Sequence, residues 1–169
     1  MKKYFLTLLS ISLLASCMEE KEISSINSEN WSQRKIDISK KDSLEYGKSY
    51  LSIYSQIYSM TEHKTHNLTA MASLRNTSDK DTVYLLKAEY FDTHGKSLRT
   101  YFAHPIYLAP METTAIIIDE VDVEGGTGSN FLIEWKVPKG CPEPLFEGVM
   151  NSTMSQQGLS FTTQARRIE

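Results

Sequence analysis

The chain has little cysteine, no excess of basic charge and no apolar run long enough to cross a membrane. Only two of its 169 residues are cysteine, Cys17 and Cys141, which excludes a framework of several disulfides. The formal net charge is −3, and a mildly acidic chain lacks the basic stripe with which proteins bind nucleic acid. The apolar run at residues 5–15 is shorter than the roughly 20 residues that span a bilayer.

Motifs of nucleotide binding and of hydrolysis are also missing. The glycine-rich stretch 125–130 has neither the lysine nor the following helix of a phosphate-binding P-loop. It also lacks the third glycine of a G-x-G-x-x-G dinucleotide fingerprint, because Phe131 stands where that glycine is needed. No G-x-S-x-G nucleophile elbow occurs. The sequence therefore predicts a protein that is not an enzyme and that carries no cofactor.

The first 16 residues have the pattern of a bacterial secretion signal. Lys2 and Lys3 precede the apolar run, and "LASC" at 14–17 resembles the lipobox of bacterial lipoproteins. In proteins with that box the cysteine receives a diacylglycerol, the signal is cut before it, and the new amine is acylated. Two or three acyl chains, palmitate among them, anchor a protein stably. We expect a signal peptide at 1–16 and lipidation at Cys17; the alternative is an ordinary signal with an incidental cysteine.

Residues 17–48 are polar, charged and mostly without period, and they predict a lipidated cysteine followed by a tether. Its end could dock on the folded part through Trp31 or through Ile36 and Ile38. Met18 follows the cysteine in place of the aspartate that retains lipoproteins at the inner membrane. We expect a lipid-anchored envelope protein, in the outer membrane (periplasmic or surface face) if the bacterium has two membranes.

Residues 49–169 alternate apolar and polar side chains at period two, which is typical of strands with one face on a core. The apolar faces are Leu68, Ala70, Ala72 and Leu74; Tyr84, Leu86, Ala88 and Tyr90; and Phe131, Ile133, Trp135 and Val137. Further strand candidates are 50–58, 97–102, 113–121, 145–151 and 159–167. Turn-forming stretches such as "DTHGK" and "PKGCPEP" separate them. The pattern predicts one all-β domain, an antiparallel immunoglobulin-like sandwich of about seven to eight strands.

Several phrases resemble a bacterial family called domain of unknown function 3124. They are "LSIYSQIY", "NLTAMASLRNTS", "YFDTHGKSLRTY", "LAPMETT", "GGTGSNFLIEW" and "EGVMNSTMSQQGLSF", and the resemblance covers about residues 48–168. It implies a small protein that is often secreted or lipid-anchored. It implies no reaction, ligand or catalytic residue, so no functional residue carries over to this chain.

Two groups of side chains could bind a metal ion. If residues 119–126 are extended, Glu120, Asp122 and Glu124 share one face and could hold calcium; the alternative is a solvated edge strand. His63 and His66 form H-x-x-H in a predicted loop, and they could bind zinc or be ordinary loop histidines. A small metal-dependent hydrolase or metal-binding protein is therefore the alternative function.

Two loops are candidates for binding a partner. Gly125, Gly126, Gly128 and Asn130 form either a tight strand connection with positive φ or a loop that something approaches closely. Gln156 and Gln157, in the polar stretch 150–161, can donate and accept hydrogen bonds and so suit a peptide or a sugar. The favoured function is an anchored β-sandwich that binds a protein or glycan of the envelope without catalysis.

Overall fold

The computed structural model describes residues 29–153 and 158–169. The predicted signal at 1–16, the lipidation site Cys17, and Gln156 and Gln157 lie outside the described residues. A 3-10 helix spans Trp31–Arg34, and the strands are β1 (Leu44–Ser52), β2 (Gln56–Ser59), β3 (Thr61–Asn67), β4 (Thr69–Arg75), β5 (Val83–Phe91), β6 (Ser97–Phe102), β7 (Ile106–Leu108), β8 (Thr113–Ile118), β9 (Asn130–Pro138), β10 (Leu145–Ser152), β11 (Leu159–Gln164) and β12 (Arg166–Arg167). Among the described residues, no helix combines the length and apolarity needed to span a membrane.

Two antiparallel sheets form a sandwich, which confirms the predicted all-β fold. Sheet I has the order β12-β1-β9-β5-β6, with β7 also on β5, and sheet II has the order β11-β10-β4-β8. The two sheets interlock. β4 pairs with β8 in sheet II. β5 follows β4 in the chain and β9 follows β8, and these two strands pair with each other in sheet I. The strand count exceeds the predicted seven to eight, since the described residues add a short separate hairpin, β2–β3, and the short strands β7 and β12.

The core lies between the sheets and contains the side chains that the alternating pattern places there. Leu68, Ala70, Ala72 and Leu74 are completely buried, and Phe131, Ile133, Trp135 and Val137 are at most 1% exposed. Trp135 donates its ring N–H to Ser49 Oγ at 3.0 Å, which satisfies the one polar atom of this buried side chain. Two strands, β4 and β9, thus supply facing layers of the core.

The predicted inner face of β5 is wrong at its middle. The register with β9 shifts between Leu85 and Lys87, and this bulge inserts one residue into the strand. As a result Leu85 is fully buried while Leu86 is only partly covered. Beyond the bulge, Ala88 and Tyr90 are buried as expected. A period-two pattern cannot show such an insertion, because the alternation changes phase at the bulge: Val83 and Leu85 are buried before it, and Ala88 and Tyr90 after it.

The folded domain begins before residue 49. β1 starts at Leu44, and Trp31 is 8% exposed, with its ring centroid 5.0 Å from that of Phe102. Lys35 forms an isolated bridge with Ile106 on β7. We call residues 29–41 the strap; the docking expected at Trp31 is present, and the strap lies along β7.

Strand direction defines two ends of the sandwich. At the base end lie the strap, the connections β4–β5, β7–β8 and β9–β10, and the buried free thiol of Cys141. At the other end, the arm end, lie the connections β5–β6 and β8–β9, the end of β10, the start of β11 and the β2–β3 hairpin, which we call the arm (residues 56–67). The arm links β1 in sheet I to β4 in sheet II.

Candidate functional site

The arm end gathers those binding candidates of the sequence that lie among the described residues. The glycine loop (residues 119–129) connects β8 to β9, the short turn 92–96 connects β5 to β6, and the arm precedes β4. β10 ends and β11 begins here as well; Gln156 and Gln157 lie outside the described residues. Chain topology thus brings together segments far apart in sequence, as at the loop end of an immunoglobulin-type sandwich.

The glycine loop is a strand connection held by its own hydrogen bonds. Thr93, in the β5–β6 turn, accepts a bond from Gly128 N–H at 2.9 Å and donates from Oγ1 to Gly125 O at 3.0 Å. Gln56, at the start of the arm, donates its backbone N–H to Gly126 O at 3.1 Å. These hydrogen bonds hold the glycine loop against the β5–β6 turn on one side and the arm on the other. The backbone groups that a ligand cradle needs are largely satisfied within the protein.

Packing explains the glycines of this loop. Gly126 has φ +70°, a left-handed conformation that glycine adopts at little cost, which confirms the predicted positive-φ turn. A Cβ atom on Gly125 would overlap the hydroxyl of Tyr90, and one on Gly128 would lie 3.3 Å from Thr93 Cγ2. Asn130 lies outside the loop, as the first residue of β9, in register with Ser52.

The acidic residues do not form the expected extended row. β8 ends at Ile118, and turns follow it as far as Ser129. Asp122 is 2% exposed and binds the guanidinium of Arg99 at 2.7 Å, while the exposed Glu124 binds the same guanidinium at 3.1 Å. Glu120 differs again: its Oε1 is buried without a hydrogen-bond partner among the described residues.

Arg99 supplies the counter-charge for this part of the loop. Burial lowers the pKa of its guanidinium, but the hydrogen bonds to Asp122 and Tyr101 outweigh that effect and raise it overall. Burial also raises the pKa of the Tyr101 hydroxyl to about 12, against the opposing bond from Arg99. The guanidinium additionally lies 5.8 Å from the ring centroid of Tyr90. A resident cation therefore pairs with two of the three carboxylates that were candidates for binding calcium, Asp122 and Glu124.

The histidines expected in a loop lie in strand β3. His63 is exposed, with Nε2 3.3 Å from Glu62 Oε1, and His66 is partly covered beside Ile57 on β2. Residues three apart on a strand point to opposite faces, so the two imidazoles do not converge. In residues 29–153 and 158–169, no three side chains of His, Cys, Asp or Glu are close enough to hold a metal ion.

The arm is the feature that the sequence did not reveal. Residues 61–65 are all exposed, and Tyr58 and Met60 are 61% and 91% exposed. Gln56 Nε2 donates to Asn67 Oδ1 at 2.9 Å and closes the base of the hairpin. The available signal was the absence of any apolar residue in 61–67, because a strand without an apolar face cannot cover a core.

Comparison with known proteins gives the chain a family. The "Crystal Structure of Thermotoga maritima 1070" is similar at 12% identity and a TM-score of 0.44, over 71% of this chain and 92% of that one. No curated protein matches. The model of the family "Protein of unknown function (DUF3124)" matches residues 46–168 and confirms the resemblance seen in the sequence. The chain therefore belongs to the family Protein of unknown function (DUF3124).

Proposed function

We propose that this chain is a lipid-anchored protein of the bacterial envelope whose β-sandwich binds a protein or glycan partner at the arm end, without catalysis. The observation that carries the proposal is the exposure of Tyr58 and Met60, at 61% and 91%, on a hairpin that stands apart from both sheets. Large apolar side chains grouped on a projecting element favour an interaction site.

The chemistry of the arm suits recognition. Tyrosine is enriched at the centres of protein interfaces, because its ring is apolar and its hydroxyl can bond to the partner. Beside Tyr58 and Met60 the arm carries the charged or titratable side chains Glu62, His63 and Lys64, all exposed. An apolar centre with a polar rim is the arrangement found in protein interfaces, and an exposed tyrosine ring can also stack on a sugar.

The base of the arm is held rigidly, which lowers the entropy lost on binding. Ile53 N–H donates to Ser129 O at 3.0 Å, and Ser55 Oγ donates to Gly126 O at 3.1 Å. Leu68, directly after β3, donates its N–H to Ser55 O at 2.9 Å and is fully buried. The glycine loop thus supports the arm, and we assign it a positioning role beside the partner site.

Two pairs of exposed side chains make a matched test. Tyr58 and Met60 lie on the arm, while Tyr107 and Met111, 37% and 68% exposed, lie toward the base end. A photo-crosslinking amino acid at the exposed position 64 of the arm, in intact cells, is expected to capture a specific envelope protein or a glycan strand. The double variant Y58S/M60S is expected to lose the partner, and Y107S/M111S to keep it. Equal capture by both double variants contradicts a site on the arm.

The anchor is tested separately at Cys17. Cys17→Ser is expected to move the protein from the membrane fraction to the soluble fraction and to remove the mass of the acyl chains. A variant that still sediments with membranes and keeps its mass contradicts lipidation. Because Cys17 is remote in sequence from the arm, this result is independent of the partner test.

A further inference from the structure

The outer face of sheet I is a second surface, separate from the arm. Residues directly opposite each other on paired strands share one face of the sheet, so the register defines rows of side chains. Three rows are Tyr46–Lys136–Tyr84–Tyr107, Lys48–Glu134–Lys87 and Arg166–Tyr50–Leu132–Glu89. The residues that alternate with them, such as Leu51 and Ile133, are buried in the core, so these rows face outward. We call them the tyrosine face.

The outer face of sheet II has a different composition. Its rows include Thr113–Arg75–Leu145, Ala115–Ser73–Glu147–Gln164, Ile117–Met71–Val149–Thr162 and Thr69–Asn151–Ser160. These rows contain no tyrosine, and their two charged side chains, Arg75 and Glu147, pair with each other at 2.9 Å. Of the two broad surfaces of the described sandwich, only the tyrosine face therefore combines aromatic rings with several charges.

The tyrosine face has an excess of positive charge. Its rows contain four cationic side chains and two carboxylates, and both carboxylates are paired. The pairs are Glu134 with Lys48 at 4.0 Å and Glu89 with Lys87. The remaining two cations, Lys136 and Arg166, form no ion pair within residues 29–153 and 158–169. Because the whole chain has a formal net charge of −3, this local excess of cations marks a place where an anion is favoured.

The part of the tyrosine face on β1 and β9 is accessible. At the base end, the ammonium group of Lys41 in the strap lies 5.4 Å from the ring centroid of Tyr84, and Tyr84 is only 3% exposed. On β1, by contrast, Tyr50 is 38% exposed and Tyr46 is partly exposed. These two tyrosines are four residues apart on one strand, which separates them by about 13 Å. Lys48 lies between them, so two rings flank a charged centre.

This composition favours an acidic sugar chain over other anions. A tyrosine ring is apolar and flat with a hydroxyl at its tip, so it can stack on a sugar ring and bond to its hydroxyls. The centres of protein interfaces are depleted of charged side chains, whereas Leu132 is the one aliphatic residue among the rows of the tyrosine face. A nucleic acid needs several cations for its phosphates, and only Lys136 and Arg166 lack an ion pair here.

We propose that the tyrosine face binds an acidic glycan strand, with sugar rings stacked on Tyr46 and Tyr50 and the carboxylates of the glycan bound by Lys136 and Arg166. Hydrogen bonds from a cationic side chain to a carboxylate are stronger than those between neutral groups. Between the two rings, the ammonium of Lys48 donates hydrogen bonds to sugar hydroxyls. The proposal goes beyond partner binding at the arm and does not depend on it.

Labelled oligomers test the proposal on the full-length chain in mild detergent. The probe is a fluorescein-labelled oligogalacturonate, an oligosaccharide of uronic acids, and binding is followed by fluorescence anisotropy. A neutral malto-oligosaccharide, poly-glutamate and oligothymidylate are the ligand controls. The double variants Y50S/K136Q and Y58S/K64Q form a matched pair, because each removes one tyrosine and one lysine, the first from the tyrosine face and the second from the arm. Tyr50→Phe keeps the ring.

The oligogalacturonate is expected to bind more tightly than every control ligand, and its binding should weaken as salt is added. Y50S/K136Q should weaken binding roughly tenfold, equivalent to about 1.4 kcal/mol, while Tyr50→Phe and Y58S/K64Q should bind as the original chain does. Equal affinity for poly-glutamate or oligothymidylate would reduce the effect to attraction between charges and overturns the proposal. Absence of binding, or a preference for the neutral sugar, overturns it as well.

Lysine acetylation followed by mass spectrometry locates the site on the original chain, so this measurement does not depend on whether Y50S/K136Q folds. Bound oligogalacturonate should protect Lys48 and Lys136 from acetylation and leave Lys64 on the arm reactive. Protection of Lys64 alone would place the glycan on the arm. That outcome contradicts the tyrosine face as the site and supports a glycan as the partner of the arm.

Discussion

The hydroxyl of Tyr90 occupies the position that a Cβ atom on residue 125 would take. That hydroxyl donates to Ser129 Oγ at 3.1 Å, and Ser129 Oγ in turn donates to the carbonyl of Ile53 at 2.8 Å. The hydrogen-bond chain joins β5, the glycine loop and the link between β1 and the arm. Glycine at 125 is thus required by the packing of a buried tyrosine, independently of any ligand.

Gly125→Ala is therefore expected to destabilise the fold by about 1–3 kcal/mol, the usual cost of overfilling a packed site. Tyr90→Phe removes the overlapping oxygen, so the double variant should be more stable than the sum of the two single effects predicts. Urea denaturation of the original chain, the two single variants and the double variant measures the coupling energy between positions 90 and 125. Gly158→Ala is the control, because nothing lies within 4 Å of a Cβ there. Strict additivity would show that the Tyr90 hydroxyl does not set the requirement for glycine.

The two carboxylates on Arg99 are expected to differ sharply. Asp122 is buried, whereas the Glu124 side chain is 65% exposed. Asp122→Asn should lower the free energy of unfolding by about 2–3 kcal/mol. This is somewhat less than the cost of breaking a fully buried ion pair, because Arg99 still forms its ion pair with Glu124. Glu124→Gln should change it by about 0–1 kcal/mol, as for exposed ion pairs. Thermal unfolding of both variants checks this, and equal losses would contradict the burial of Asp122.

Trp31 is expected to contribute to the stability of the domain although it lies in the sequence predicted as a tether. Trp31→Ala should cost about 3–5 kcal/mol, as for other buried aromatic side chains, and Trp31→Phe less. Denaturant unfolding gives the free energies, and limited proteolysis reports whether the strap detaches. An alanine variant as stable as the original chain would mean that the strap does not belong to the cooperative unit.

Glu112 is expected to make stability depend on pH. Burial acts to raise its pKa, but the bond from Arg34 and the Ala109 N–H outweigh burial and lower it. A carboxyl with a lowered pKa in the folded state stabilises the protein above its unfolded pKa, near 4.3, and this contribution is lost as the pH falls through the folded value. The Tm difference between the original chain and Glu112→Gln should therefore be present at pH 7 and be lost at a pH well below the unfolded value.

The exposed Glu45 provides the control for that measurement. Glu45→Gln should leave Tm nearly unchanged at both pH values. A Glu112→Gln difference that grows as the pH falls would contradict the direction of the shift.

The inner faces of β4 and β9 were predictable, because eight alternating apolar residues in two strands have no other face on which to be buried. The hairpin at Gly95, with φ +78°, was predictable from its turn residues. These features depend on neighbours in sequence, so the local pattern contains them.

Features that depend on distant contacts escaped the pattern. Asp122 was expected to hold calcium or to lie on a solvated edge strand, because its partner Arg99, 23 residues earlier in the chain, could not be identified from the local pattern. Docking through Trp31 was expected, but its contact Phe102 could not be identified, because the two residues are 71 positions apart in the chain. The bulge after Leu85 arises from pairing with β9, which no alternation within β5 can show.

The strap and the arm lie at opposite poles of the sandwich. Glu29, the first described residue, contacts Arg34, and Arg34 contacts Glu112 at the base end. A nine-residue strand such as β9 is about 30 Å long at roughly 3.3 Å per residue. The arm therefore stands about a full strand length from Glu29, the described residue nearest in sequence to the proposed anchor at Cys17. A partner at the arm is expected to be bound without contact with the strap.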